Sequence, residues 1–182
     1  MYNTNLIGPE TVCGVSLAGR IERVVTHGGR GVTHKPKVLF FSTGDATRSQ
    51  MAEGFLHAFA GDKFDGVSTA VKTPDRNPLT VDVMKEVGVD ISNQHSEELA
   101  QSLKEHFACV VTVCDAARER FPVWPFTHNL FHWSLPDPTA ATGSTEERKT
   151  VFRRVRDEIR QKVADFTKQR VPGPPSMTPP KR

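Results

Sequence analysis

Lys37-Val-Leu-Phe-Phe-Ser-Thr-Gly-Asp-Ala-Thr-Arg48 is the stretch whose reading decides the fold. The run 37–42 is short and apolar, and it ends in a glycine-containing loop. Strands buried on both faces of a parallel sheet read in this way. Behind the loop, residues 49–60 read as a helix. Met51, Phe55 and Phe59 recur at spacing four, and Ala52 and Leu56 widen the stripe. A strand, a loop and a helix in that order place the loop beyond the carboxyl end of the strand. Ligands bind there in open α/β sheets.

The alternation continues outward. Residues 67–71 read as a weaker strand. A helix over 78–87 starts at a proline and stops at Gly88. Ser96 is expected to cap a third helix carrying Leu99 and Leu103. Residues 107–113 form the strongest apolar run, and 131–134 a short strand. Ser144 and Glu147 make a capping box. The helix behind them places Phe152, Val155, Ile159, Val163 and Phe166 on one face. The pattern predicts an α/β fold, with a four-stranded parallel sheet flanked by helices on both faces. Three segments are expected: an N-terminal extension over 1–36, flexible or lightly docked; a folded domain over 37–170; and a Pro-rich, disordered tail over 171–182.

Composition narrows the function classes. The 182 residues carry 24 Lys plus Arg against 21 Asp plus Glu, too small an excess to argue for nucleic acid or membrane binding. No apolar run approaches a membrane span, and no apolar leader precedes residue 36. Three cysteines, Cys13, Cys109 and Cys114, are too few for a disulfide scaffold. A cytoplasmic chain with free thiols is expected.

The loop itself is the candidate site. Ser42, Thr43, Gly44, Asp45, Ala46, Thr47, Arg48 and Ser49 wrap into a helix N-terminus. Successive N–H groups there make a nest for an oxyanion, and the helix dipole assists. Arg48 can add a bidentate contact to phosphate-like oxygens. Alone, this fits an ordinary strand–helix loop with a surface arginine equally well.

Further motifs follow in order: Arg48-Ser-Gln-Met-Ala-Glu-Gly54, Asn77-Pro78, Asp90-Ile-Ser-Asn-Gln94, Val111-Thr-Val-Cys-Asp115, His132-Trp133, Asp137-Pro138 and Arg154-Val-Arg-Asp-Glu-Ile159. Together they resemble the thioredoxin-coupled arsenate reductases, which share a fold with the low-molecular-weight protein tyrosine phosphatases. The resemblance implies a loop in which a cysteine thiolate attacks arsenate or a phosphomonoester. That cysteine's position is Ser42. A helix N-terminus and an arginine can lower a thiol from about 8.5 to roughly 3.5–7.5. A serine hydroxyl instead needs an adjacent base. Ser42 is therefore expected to bind an anion and to be a poor nucleophile. Asp45, Ala46 and Thr47 also depart from the family, with Asp45 expected to hold the loop through backbone N–H groups.

The resemblance implies further roles. The second relay cysteine matches Cys114, and the third falls at Phe121, so thioredoxin is not expected as the reductant. Asp137 matches the general acid. Cys109 reads as a core residue and His132 as a packing partner of Trp133. A potassium site would use Asp45, Glu53, Ser68 and Glu97, and no other cofactor is expected. Thr139 stands where the phosphatases carry tyrosine, which leans the chain toward the reductases.

Three functional readings follow. The first is an arsenate reductase-like protein that binds arsenate or phosphate without thiolate catalysis, through natural divergence or a Cys-to-Ser change. The second is an active reductase or phosphatase whose nucleophile is altered, or one in which Cys114 works with an external thiol. The third is a non-catalytic oxyanion sensor or a partner-binding module using either terminal segment.

Overall fold

The computed structural model describes residues 35–44, 46–71, 77–119 and 129–168. Asp45, Phe121, Cys13, most of the N-terminal extension and the Pro-rich tail lie outside the described residues, and with them the expectations placed there.

The elements run β1 (Lys37–Ser42), α1 (Thr47–Ala60), β2 (Asp65–Ala70), α2 (Pro78–Lys85), β3 (Glu97–Glu98) and α3 (Leu99–Ser102). They continue through β4 (Cys109–Thr112), α4 (Asp115–Glu119), β5 (Leu130–His132), a 3₁₀ turn (Pro138–Ala140) and α5 (Thr145–Lys168). The sheet has the order β3-β2-β1-β4-β5, and every pairing is parallel. The four foreseen strands are all present. A two-residue fifth strand, β3, extends one edge by pairing Glu97 with Thr69 and Glu98 with Ala70.

Both faces are covered, and β1 shows why its sequence is apolar throughout. Val38 and Phe40 face one layer, with Met51, Phe55 and Leu56 of α1, Val83 and Met84 of α2, and the apolar face of α5. Leu39 and Phe41 face the other, against Phe107, Leu99, Leu103 and Ala117. A strand with two buried faces has no polar side to alternate with. The stripe Phe152, Val155, Ile159, Val163 and Phe166 is buried as its spacing predicts. Glu147 accepts from the backbone N–H and hydroxyl of Ser144 and closes the capping box.

Two local expectations are corrected. Ser96 caps no helix: β3 intervenes and α3 is a single turn. The Ser96 hydroxyl instead lies 3.2 Å from that of Ser68 and accepts from Gln50 Nε2 at 3.3 Å. Phe59 is 41% exposed and stacks on Phe55, because the last turn of α1 emerges from the core. His132 is held by hydrogen bonds as well as by its place beside Trp133, whose ring meets Phe40 and Phe166. Among the described residues, no helix is long and apolar enough to cross a membrane.

Candidate active site

The loop between β1 and α1 sits at the carboxyl end of the central strand, where the order reverses between β2 and β4. Ser42, the last residue of β1, is fully buried, and its hydroxyl lies 3.3 Å from that of Ser49. Ser49 donates to the Ala46 carbonyl at 3.0 Å and closes the first turn of α1. Ala46 is the N-cap and offers no side-chain oxygen to the N–H groups of that turn. The dipole of a helix N-terminus favours an anion there.

Arg48 is no surface arginine. It is 5% exposed, and its Nη1 donates to the Leu135 carbonyl at 2.9 Å. Its Nη2 stands 3.5 Å from Asp137 Oδ2. Nε is buried and has no hydrogen-bond partner among the described residues. Two contacts from outside thus orient the guanidinium, and Nε remains uncommitted among the described residues.

Asp137 faces two ways. Oδ2 meets Arg48, while Oδ1 accepts from the backbone N–H and hydroxyl of Thr139 and caps the 3₁₀ turn. Its side chain is 41% exposed. Cys114 is buried with Phe41 and Ala117, and its Sγ lies 3.5 Å from Thr43 Oγ1. Cys109 is a fully buried core residue. The Thr47 hydroxyl lies 3.2 Å from that of Thr80 and ties α1 to α2. Gly44 lies in the loop with open space around its α-carbon.

Of the residues named for potassium, Glu53 meets Ser68 and feels the charge of Glu97, and Asp45 lies outside the described residues. Glu53 is buried against β2, and Oε2 has no hydrogen-bond partner among the described residues. Burial pushes its pKa up to about 7, although bonds from the Ser68 hydroxyl and N–H pull it down, and Glu97 raises it further. Glu97 directs Oε2 to the Ser102 hydroxyl, and its carbonyl accepts from Thr69. Among the described residues, no group of three or more His, Cys, Asp or Glu side chains could hold a metal ion.

Sequence reasoning missed Leu135, whose contribution is a carbonyl and so leaves no mark in residue type. It also missed Gln50, which donates to the Ser96 hydroxyl next to Ser68, and Asp115 and Ser134, which brace the segment leading to Leu135. Asp115 and His132 both lie in the quoted motifs, but only the parallel register of β4 and β5 brings them together.

Residues 37–171 match the family model of low molecular weight phosphotyrosine protein phosphatases. The chain is 41% identical over 133 residues to the arsenate reductase of Halalkalibacterium halodurans, covering 73% of this chain and 96% of that protein. It is 39% identical over 129 residues to the arsenate reductase of Bacillus subtilis, covering 71% and 93% respectively. A solved structure of an arsenate reductase in the phosphate binding state superposes with a TM-score of 0.62 at 28% identity, covering 72% of this chain and 95% of that one. A parallel sheet with the loop after its central strand, a buried arginine closing that loop and a match across 37–171 agree: this chain belongs to the low molecular weight phosphotyrosine protein phosphatase family and is similar to its arsenate reductases.

Proposed function

We propose that this chain binds arsenate or phosphate in the Ser42–Arg48 loop and lacks the thiolate chemistry of its family. The observation that carries the reading is the Arg48 guanidinium. It is buried and held from outside by Leu135 and Asp137, with Nε free to bond an anion among the described residues. The N-terminus of α1, whose N-cap Ala46 brings no side-chain oxygen, favours negative charge at the same place. An oxyanion satisfies both at once, and charge-assisted bonds to it are stronger than neutral ones.

Ser42 stands where the attacking sulfur would stand. One neighbour is the hydroxyl of Ser49, a group of equal acidity and no base. In this reading Arg48 and the backbone bind the anion and Asp137 is placed as a proton donor, but no nucleophile activates the bound group. Without the third relay cysteine, which falls at Phe121, thioredoxin has no disulfide to reduce. Titration calorimetry with arsenate and with phosphate, alongside an arsenite-release assay, tests this. Saturable binding of both anions without arsenite release supports the reading, and absence of binding overturns it.

A second reading rests on the 3.5 Å contact between Thr43 and Cys114, which sets a thiol against the loop. If Cys114 reduces arsenate with an external thiol, turnover disappears in Cys114→Ser and survives in Ser42→Ala. The potassium site stands as a further proposal. Glu53 Oε2, buried without a partner among the described residues, fits a hard cation better than it fits an apolar pocket. A higher melting temperature in potassium chloride than in choline chloride supports it, and equal values dismiss it.

A further inference from the structure

The ends of β4 and β5 carry a cluster that anion binding alone does not explain. Asp115 opens α4 directly after Cys114. Its Oδ1 lies 2.9 Å from His132 Nε2, and its Oδ2 accepts from the Ser134 hydroxyl at 2.9 Å. His132 Nδ1 lies 2.8 Å from Thr112 Oγ1. The bonds from Ser134 and then His132 hold the Asp115 carboxyl below its ordinary range. An ionised carboxylate only accepts, so His132 carries a proton on Nε2. Thr, His and Asp are the residue types of a hydrolytic triad. Thr112, however, is 5% exposed within the sheet, and no substrate reaches its hydroxyl.

The cluster holds the arm that follows β5. Asp115 grips that arm at His132 and at Ser134, and the Trp133 N–H donates to the Thr112 carbonyl between them at 2.8 Å. The next residues supply both groups that orient Arg48, the Leu135 carbonyl and the Asp137 carboxylate. On the other side of Asp115, Cys114 touches Thr43 of the loop. One carboxylate thus ties together the two structures that border the anion loop. We propose that Asp115 is a positioning residue of the anion site, acting through His132 and Ser134 on the arm that orients Arg48. This rests on reading residues 42–48 as an oxyanion loop.

The test compares the full chain with Asp115→Ala and Asp115→Asn, each checked for folding by circular dichroism. Asn keeps an acceptor for Ser134 and can donate to a neutral His132, so it preserves the grip without the charge. Inorganic phosphate affinity should fall about tenfold in Asp115→Ala, the scale of one lost charge-assisted bond, and recover most of that in Asp115→Asn. The Arg48 Nε–H signal in nitrogen-15 NMR gives a second readout without any ligand. It should move in Asp115→Ala and return toward its original position in Asp115→Asn. An unmoved Arg48 signal in a folded Asp115→Ala protein overturns the proposal. Tighter phosphate binding to the same degree in both variants also overturns it, because Asp115 would then act by charge alone. If the unaltered chain binds no phosphate, the oxyanion reading fails, and the Arg48 signal still decides whether Asp115 sets the arm.

Discussion

Arg48 and Asp137 meet at the border of the loop, Nη2 to Oδ2 at 3.5 Å, with the guanidinium buried and the carboxylate 41% exposed. The pair joins the first turn of α1 to the arm after β5, where Leu135, 87 residues on, accepts from the same guanidinium. A planar fork can satisfy Leu135 and Asp137 and still present Nε to an anion. A lysine ammonium cannot span all three directions. Arg48→Lys should therefore fold and weaken phosphate and arsenate binding by at least about tenfold, measured by calorimetry. Equal affinity would remove Arg48 from the site.

Glu53 makes stability depend on pH. Its folded-state pKa of about 7 lies above the ordinary 4.5, so the folded protein holds a proton that the unfolded chain has released. Stability should fall as pH rises from 4.5 to about 7 and level off above that. The size is about 3 kcal/mol for this group, at about 1.36 kcal/mol for each pKa unit. In Glu53→Gln this descending limb should flatten in urea titrations from about pH 4.5 to about pH 8. A limb of unchanged slope would place the titrating group elsewhere.

Glu86 acts at the acid end. Arg153 grips its carboxylate through two nitrogens, and Arg156 adds a further bond while donating to the Val83 carbonyl. The hydrogen bonds from Arg153 lead in holding the Glu86 pKa down at about 2. Its contribution, which ties α2 to α5, is present above pH 4.5 and lost as pH falls toward 2. Glu86→Gln should lower the urea midpoint at about pH 6 and narrow its difference from wild type at about pH 3. A difference that does not narrow would mean that Glu86 acts by packing rather than by charge.

Gly54 belongs to a quoted motif for a steric reason. A Cβ there would stand 2.7 Å from Ile91 Cγ2 and 3.3 Å from both Met84 Cε and Val89 Cγ1. Gly54→Ala should destabilise by about 1–3 kcal/mol despite the better helix propensity of alanine. Thermal melts would show it, and a stabilised variant would mean that the 89–91 segment yields.

The parts legible in the sequence were those set by local pattern. The run Lys37–Ser42 is apolar because both its faces are buried, and α5 announces its buried face by period alone. The loop was legible because strand, glycine, arginine and helix follow one another directly. What stayed hidden depends on distant partners. Ser96 has the residue type of a helix cap, but its hydroxyl meets Ser68 and Gln50, 28 and 46 residues away. Glu53 looks like a solvated helix residue until β2 is laid over it. Arg48 reads as a surface arginine in the loop and as a buried donor only once Leu135 and Asp137 arrive. His132 and Asp115 needed the β4–β5 register, which sets Thr112 opposite His132.

In the proposed reading the loop remains competent and the missing thiolate is its defect. The most direct measurement follows arsenate reduction and aryl-phosphate hydrolysis by this chain beside its Ser42→Cys variant, under single-turnover conditions. No turnover is expected of the unaltered chain. Activity is expected in Ser42→Cys, falling about 10²- to 10⁴-fold when Asp137→Asn is added. Turnover by the unaltered chain, or a folded Ser42→Cys protein that binds neither anion and is inert toward both substrates, would contradict it.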